Sequence, residues 1–332
     1  ITFSDTTARG CVAHPFYFDL MGISRECALR FSPECFERMT DLFAGGTMGS
    51  VTDWVQLRVL HRVSVMDCVE SDLWLSVHDA NMAQFRIDWY TRPANVKSAD
   101  ATRNLCASAL MQVSCVDIAN GLLARTTWPE FFYRFLVYMG PRRPVDARAK
   151  PVLTLDRACE VLGKQVTAVA GASSSSSTST AQPVLLQHTV STTREDSNYV
   201  GNVYFARYAS WQRDAIDAFL HRVDPHTFES RTWDVVVVAT DVRYELESLP
   251  FQTLQVQVKP AAVFEHGLEL AVDFTFADSQ AVAAKTSVFI AFVAPSSGSR
   301  VSHGDPASTA RWVGVGIPLR VKACLESFGL YF

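Results

Sequence analysis

The chain has 332 residues, 30 Lys and Arg against 34 Asp and Glu, a net charge of −4, and is 48% hydrophobic and 11% aromatic. This excludes a disordered or fibrous chain, and neither half is basic enough for a nucleic-acid footprint. The length exceeds the roughly 100–200 residues usual for one domain, so two cores are expected.

Cys11, Cys27, Cys35, Cys68, Cys106, Cys115, Cys159 and Cys324 are widely spaced and never form C-x-x-C, which reads as reduced thiols. No apolar run of about 18 residues occurs, and Ile1 to Gly10 lack a signal pattern. A cytoplasmic protein without a membrane span is expected. The start at Ile1 instead of Met reads as the edge of a longer chain.

In chain order, His14-Pro15 opens a first helix, with proline at its favoured first position. Phe16, Leu20, Ile23, Cys27 and Phe31 trace one helical stripe. Four β-rich blocks follow, Trp54 to Val65, Leu73 to Val77, Gln84 to Tyr90 and Leu105 to Val116, closed by Trp128-Pro129-Glu130 and an apolar segment. A basic, proline-rich loop around Arg142 and Arg143 precedes the Ser/Thr-rich stretch Gly171 to Pro183, which has the composition of a tether. The expected boundaries are 1–150, a linker at 151–183, and 184–332. The second domain repeats the plan. Leu185 to Ser191 reads as a strand, and Val203 to His221 as a helix with Tyr204, Tyr208, Trp211, Ala215 and Phe219 on one stripe. Strands then fall at Trp233 to Glu245, Thr253 to Val258, Leu268 to Phe276 and Ala281 to Val293, closed by Ile317-Pro318-Leu319.

The halves align with each other. Asp196, Gly201 and Val203 stand 191 positions after Asp5, Gly10 and Val12, whereas the helix stripes and Arg25-Glu26 match at an offset of 188, implying three extra residues in the first half. Each half reads β-α-β-β-β-β, the first one's opening strand falling before Ile1. Strands joined by short turns must be antiparallel. A long helix apolar over most of its circumference needs cover on most sides. The expected fold is α+β, a double hotdog in which each half wraps an antiparallel sheet around one long central helix.

The string Glu195-Asp196-Ser197-Asn198-Tyr199-Val200-Gly201-Asn202-Val203-Tyr204-Phe205-Ala206-Arg207-Tyr208 resembles the helix entry of 4-hydroxybenzoyl-CoA-thioesterase-like hotdog enzymes, whose pattern is similar to E-D-T-D-x-G-G-V-V-Y-H-x-x-Y. It is also similar to the thioesterases of enediyne polyketide pathways, including the pair Trp211-Gln212. The resemblance covers about 30 residues well. It departs where the catalytic acid stands: Asn198 occupies that place, and Phe205 occupies the place of a histidine. An amide cannot act as a base, so Asn198 is expected to orient water or the thioester oxygen. The resemblance implies a helix arginine, with Arg213 the first candidate and Arg207 the second.

Read from the residues, Gly201 lets the backbone approach a ligand, and a helix starting near Asn202 and Val203 directs N–H groups and a positive dipole end at it, an oxyanion cradle. The catalytic candidates are Asn198, Asn202, Tyr208, Arg213 and His14. The substrate-binding candidates are Asp196, Gly201, Val203, Thr7, Gly10 and Tyr17. Tyr208 equally fits a core tyrosine, and Asp196 a loop brace. His14 replaces Asn202 in the helix register and Phe205 in the loop register, and capping and acid–base roles both stay open. The remaining histidines and the cysteines show no metal-ligand spacing, so no metal and no cofactor are expected, and dinucleotide, P-loop and serine-hydrolase motifs are absent.

The expected activity is hydrolysis of a polyketide or fatty acyl thioester held by an acyl carrier protein or coenzyme A. The alternatives are a double-hotdog dehydratase or acyltransferase/decarboxylase, or a non-catalytic carrier-binding module. A place in a larger synthase and a homodimer are the expected assembly partners.

Overall fold

A computed structural model describes residues 12–139, 160–168, 182–295 and 312–330, apart from 31, 62, 64–66, 93–102, 119–122, 199, 230–232 and 329. The first half runs α1 (His14–Arg30), α2 (Pro33–Ala44), β1 (Met48–Val59), β2 (Cys68–His78), β3 (Met82–Arg92), β4 (Asn104–Asp117), β5 (Ala124–Arg125) and α3 (Glu130–Met139). The second runs β6 (Gln165–Ala168), β7 (Leu186–Ser191), a 3₁₀ turn (Arg194–Asp196), α4 (Phe205–Val223), β8 (Asp234–Tyr244), β9 (Thr253–Phe264), β10 (Gly267–Phe276), β11 (Val282–Pro295), β12 (Trp312–Gly314) and α5 (Leu319–Ser327).

All strand pairs are antiparallel, as the short connections require. Period-two burial shows why they form: in β10, Leu268, Leu270, Val272, Phe274 and Phe276 all enter one core while the residues between them lie partly open. That core closes on α4 through Tyr208, Ala215, Ile216 and Phe219. The first half packs Tyr17, Phe18 and Met21 of α1 against Val55, Leu57, Ile87, Trp89 and Met111 of its own sheet.

The halves form one sheet in the order β2-β3-β4-β1-β8-β11-β10-β9-β6, with β5, β7 and β12 attached at its sides. The seam is β1 against β8, from Trp54 opposite Arg243 to Arg58 opposite Ala239. Arg58, 3% exposed, locks it through both guanidinium nitrogens to Asp241, at 2.5 and 3.2 Å. Helices α1 and α4 cross the seam together. Gly22 faces Tyr204, whose hydroxyl fills the space a Cβ there would need, and the Phe18 and Phe205 rings lie 6.3 Å apart.

The double hotdog and its strand blocks stand as expected. The stripe on α1 does not: Ile23 is 54% exposed and Cys27 is exposed, whereas Tyr17, Phe18, Met21 and Gly22 are buried. Apolar residues on several faces of this helix let a regular but wrong stripe be traced. Helices α1 and α4 begin 191 positions apart, so the loop register holds and no three-residue insertion precedes α1. Helix α2 was not foreseen, although Ser32 followed by Pro33 is a helix start that propensity alone marks. Within the stretch expected as linker, Gln165–Ala168 pairs with β9 and Leu162 is fully buried. The Ser/Thr-rich stretch 171–181 and the basic loop 141–150 lie outside the described residues.

Candidate active site

The loop entering α4 is built from its own polar side chains. Asp196 Oδ2 accepts from the Thr193 amide and hydroxyl, both at 2.8 Å, and its carboxylate faces Arg207 at 3.5 Å. Asn198 Oδ1 accepts the Val200 N–H at 2.8 Å, and the Asn198 carbonyl accepts the Gly201 N–H at 3.1 Å. Gly201 at φ +91° completes this turn in a conformation that costs a residue with a Cβ far more. The amides of Val203 and Tyr204 donate at 2.7 Å to the carbonyls of Ser248 and Asp196. Helix α4 thus begins at Phe205, beyond the expected start, and the amides of Val200, Gly201, Val203 and Tyr204 are engaged within the protein.

This loop closes one end of a cavity of about 710 Å³ in the first half. Leu29, Phe36, Met39, Val113, Trp128 and Phe132, from α1, α2, β4 and α3 with its approach, give it an apolar lining. Arg25, Ser50, Asn198 and Tyr204 border both this cavity and a neck of about 20 Å³, which continues to Asn202, Tyr208, Tyr244 and Glu247.

Among the described residues the neck contains one carboxylate. Glu247, just past β8, accepts a hydrogen bond from Asn202 Nδ2. Burial pushes its carboxyl above the ordinary carboxylate range; the Asn202 bond and Arg125 oppose this, and Asp53 adds to it. Asn202 is 3% exposed, and its side-chain oxygen has no partner among the described residues. Opposite, from α1 of the other half, Arg25 reaches the neck, its guanidinium 6.0 Å from the Phe205 ring centroid. Burial lowers its pKa, and among the described residues no carboxylate lies within ion-pair distance of it. A guanidinium placed this way is left to bind an oxygen that arrives with a ligand.

Of the residues singled out from sequence, Asn198 and Asn202 meet at this neck, and Asp196, Gly201 and Val203 shape the loop around them. Tyr208 borders the neck from a core position, its hydroxyl donating at 2.7 Å to Ser248 and its ring packed on Trp211, Tyr244 and Phe274; burial raises its pKa. Arg213 pairs with Asp217 on its own helix at 2.6 Å and does not line the neck. His14 is buried between the halves, 3.0 Å from Gln212 Oε1. Burial, reinforced by Arg213 and opposed by the Gln212 bond, lowers its pKa to about 3, so it is a neutral core imidazole. Tyr17 is likewise core, edge-on to Trp89 at 5.5 Å. Thr7 and Gly10 lie outside the described residues. Arg25 and Glu247 escaped the sequence reading. Glu247 carries a faint signal, an acid between Leu246 and Leu249 just past a strand.

No group of three metal-ligating side chains occurs among the described residues, and no described helix is long and apolar enough to cross a membrane. Of the six described cysteines, all free, Cys35, Cys106 and Cys115 are buried.

A paired hotdog unit with an apolar cavity leading to a charged neck defines the class: this is a double-hotdog protein. Its residues 192–311 match the Thioesterase-like superfamily. No curated protein sequence matches the chain. Among solved structures, the chain is similar to a protein from Lactobacillus plantarum described as an oleoyl thioesterase, with a TM-score of 0.58 and 14% identity over 88% of this chain and 93% of that one. It is similar to the 12:0-ACP thioesterase from Umbellularia californica, with a TM-score of 0.56 and 12% identity over 88% and 91%. An acyl-ACP thioesterase from Bacteroides thetaiotaomicron gives 0.52 and 11% over 87% and 94%. At these identities the likeness shows the fold, and it spans both halves.

Proposed function

We propose that the protein hydrolyses acyl thioesters, taking a fatty or polyketide acyl chain from an acyl carrier protein or coenzyme A. The observation that carries this reading is that Arg25, Ser50, Asn198 and Tyr204 border both the 710 Å³ cavity and the small neighbouring pocket that holds Glu247 and Asn202. The thioesterase-like match of the second half and the acyl thioesterase fold of the whole support it.

In this reading the acyl chain lies in the first half and the thioester carbon at the neck. The neck's volume of about 20 Å³ exceeds the 10–15 Å³ or so that one water needs. Glu247 and the unpartnered Asn202 Oδ1 both accept hydrogen bonds, so a water donating to both turns a lone pair toward the carbonyl. Glu247 takes the proton as the water oxygen bonds to carbon. The carbonyl oxygen becomes an anion beside Arg25, the positive group that the engaged loop amides cannot replace. Collapse breaks the carbon–sulfur bond, and Glu247 returns the proton to the departing thiolate.

A dehydratase requires a histidine at the site, and His14, buried and bonded to Gln212 away from the neck, lends that alternative no support. Acyl-carrier and acyl-CoA thioesters of increasing chain length, assayed for free thiol and free acid, test the proposal. Release of both in equal amounts is expected, with Glu247→Gln slower by about 10²–10⁴-fold. Absence of acid release from every thioester, or full activity of Glu247→Gln, overturns it.

A further inference from the structure

Gly22 and Gly49 of the first half each lack a side chain where the second half's helix-entry loop takes the space. Neither has the positive φ of Gly46, Gly163 and Gly201, so backbone conformation does not account for the glycine at either place. The neighbouring side chains do. A Cβ on Gly49, in β1, would lie 2.6 and 3.2 Å from the two methyl carbons of Val200 and 3.2 Å from Ile118 Cδ1, inside ordinary van der Waals contact. A Cβ on Gly22, within α1, would overlap the Tyr204 hydroxyl. Glycine is otherwise disfavoured in the interior of a helix or a strand, and in a strand it often marks the close approach of another group.

The two contacts bracket Asn202. Val200 precedes it in the loop, and Tyr204 follows it at the junction with α4. The loop is braced within itself: the Asn198 N–H donates to the Asn202 carbonyl at 2.8 Å, Asn198 Oδ1 accepts the Val200 N–H, and Ser197 bridges to Val203. A push at Val200 or Tyr204 is therefore passed on to Asn202. Gly22 also stands three residues before Arg25 on α1, so the two share a helix face. The seating runs one way. At the 191-residue spacing of the two helix starts, Tyr204 corresponds to Ala13 and Gly22 to Arg213, so the first half presents no such ring and the second no such slot. We infer that Gly22 and Gly49 are positioning residues, two seats in the first half that fix where the second half's loop holds Asn202 beside Glu247 and Arg25. The catalytic consequence rests on the hydrolytic reading, whereas the seating does not. Neither glycine touches substrate in this scheme; each acts through the side chain it admits.

Gly49→Ala and Gly22→Ala are each tested alone and with a substitution that clears the seat from the other side, Val200→Ala for the first and Tyr204→Phe for the second. Each glycine substitution alone is expected to lower kcat about 10- to 100-fold with KM within about threefold, as a displacement of reacting groups by about 1 Å does. In its matching background the same substitution costs less than about threefold, because contacting pairs couple, and in the other background it costs as much as alone. The side-chain amide of Asn202, followed by nitrogen-15 NMR and assigned by its absence in Asn202→Ala, reads the same displacement without substrate. Its signals move in each single glycine variant and return in the matching double variant.

Partner-specific relief in both readouts supports the inference. Equal losses in every background, or no loss and unmoved Asn202 signals, overturn it while leaving hydrolysis intact. A wild type that releases no acid, with Asn202 signals that still show the relief, instead overturns the enzymatic reading and leaves the seating standing. If Gly49→Ala does not fold, Gly22→Ala decides alone, since alanine favours the helix: relief by Tyr204→Phe supports the inference and its absence refutes it.

Discussion

The starts of α1 and α4 are equivalent points of a duplicated unit, 191 residues apart, yet they have opposite fates. At α4 the loop opens between a cavity and a neck, and Asn198, Asn202 and Glu247 converge there. At α1 the first helical residue is buried: His14 is 3% exposed and bonded across the seam to Gln212, whose Nε2 in turn donates to Thr286 at 2.7 Å. The first half has also gained α2, whose Phe36 and Met39 line the cavity. The comparison teaches that, in the proposed reaction, the two copies divide the work: one keeps the polar loop, and the other supplies most of the cavity lining and, through Arg25, a cation for the first one's neck.

The sharpest way to break this division is at Arg25. Arg25→Met is expected to lower kcat about 10²–10³-fold with KM little changed, as for loss of one oxyanion donor. Arg25→Lys should recover only part, since a point charge on a flexible stem replaces a planar fork. A large rise in KM at constant kcat would make Arg25 a binding residue only. Next in size is the seam. Arg58→Met strands Asp241, and because the Asp241 side chain is 35% exposed, the loss is discounted to about 2–3 kcal/mol, read by urea denaturation. A loss confined to one half's unfolding transition would show that the halves are not one cooperative unit.

The buried His14 makes its own prediction. His14 is neutral when folded, with its pKa lowered to about 3, against 6.5 when unfolded. The unfolded chain therefore binds the extra proton between those values, and the His14 contribution to stability is complete above about pH 6.5 and declines as pH falls toward 3. The slope is about 1.4 kcal/mol per pH unit within that window. His14→Gln, which keeps an amide for Gln212, should flatten the fall between pH 7 and 5 by about 2 kcal/mol; identical pH profiles of thermal unfolding would contradict a buried neutral imidazole. Smallest is Val113→Phe, which fills part of the cavity. It should shift the kcat/KM ratio toward shorter acyl chains by about tenfold, or about 1.4 kcal/mol. An unchanged chain-length profile would place the chain elsewhere.

The strands were legible because β9, β10 and β11 carry long β-branched and aromatic runs between clear turns, and α4 because its stripe has a polar opposite face. Helix α1 was legible as a helix but not in its facing, since its buried set includes His14, Gly22 and Ser24, which no apolar count selects. The loop residues Asn198 and Asn202 were found through a local motif. Arg25 and Glu247 were not, for a physical reason. Their place in one pocket depends on the seam that sets α1 beside the α4 loop and β1 beside β8, and no spacing along the chain encodes a pocket shared across 222 positions.

The division of labour is tested most directly by a non-hydrolysable pantetheine amide of a long acyl chain carrying a photoreactive group at its far end. After irradiation, peptide mass spectrometry is expected to find the adduct on Phe36, Met39 or Phe132 of the first half, with Glu247→Gln leaving the pattern unchanged. Adducts on the sheet around α4 in the second half, such as Val256 or Phe274, would contradict the account.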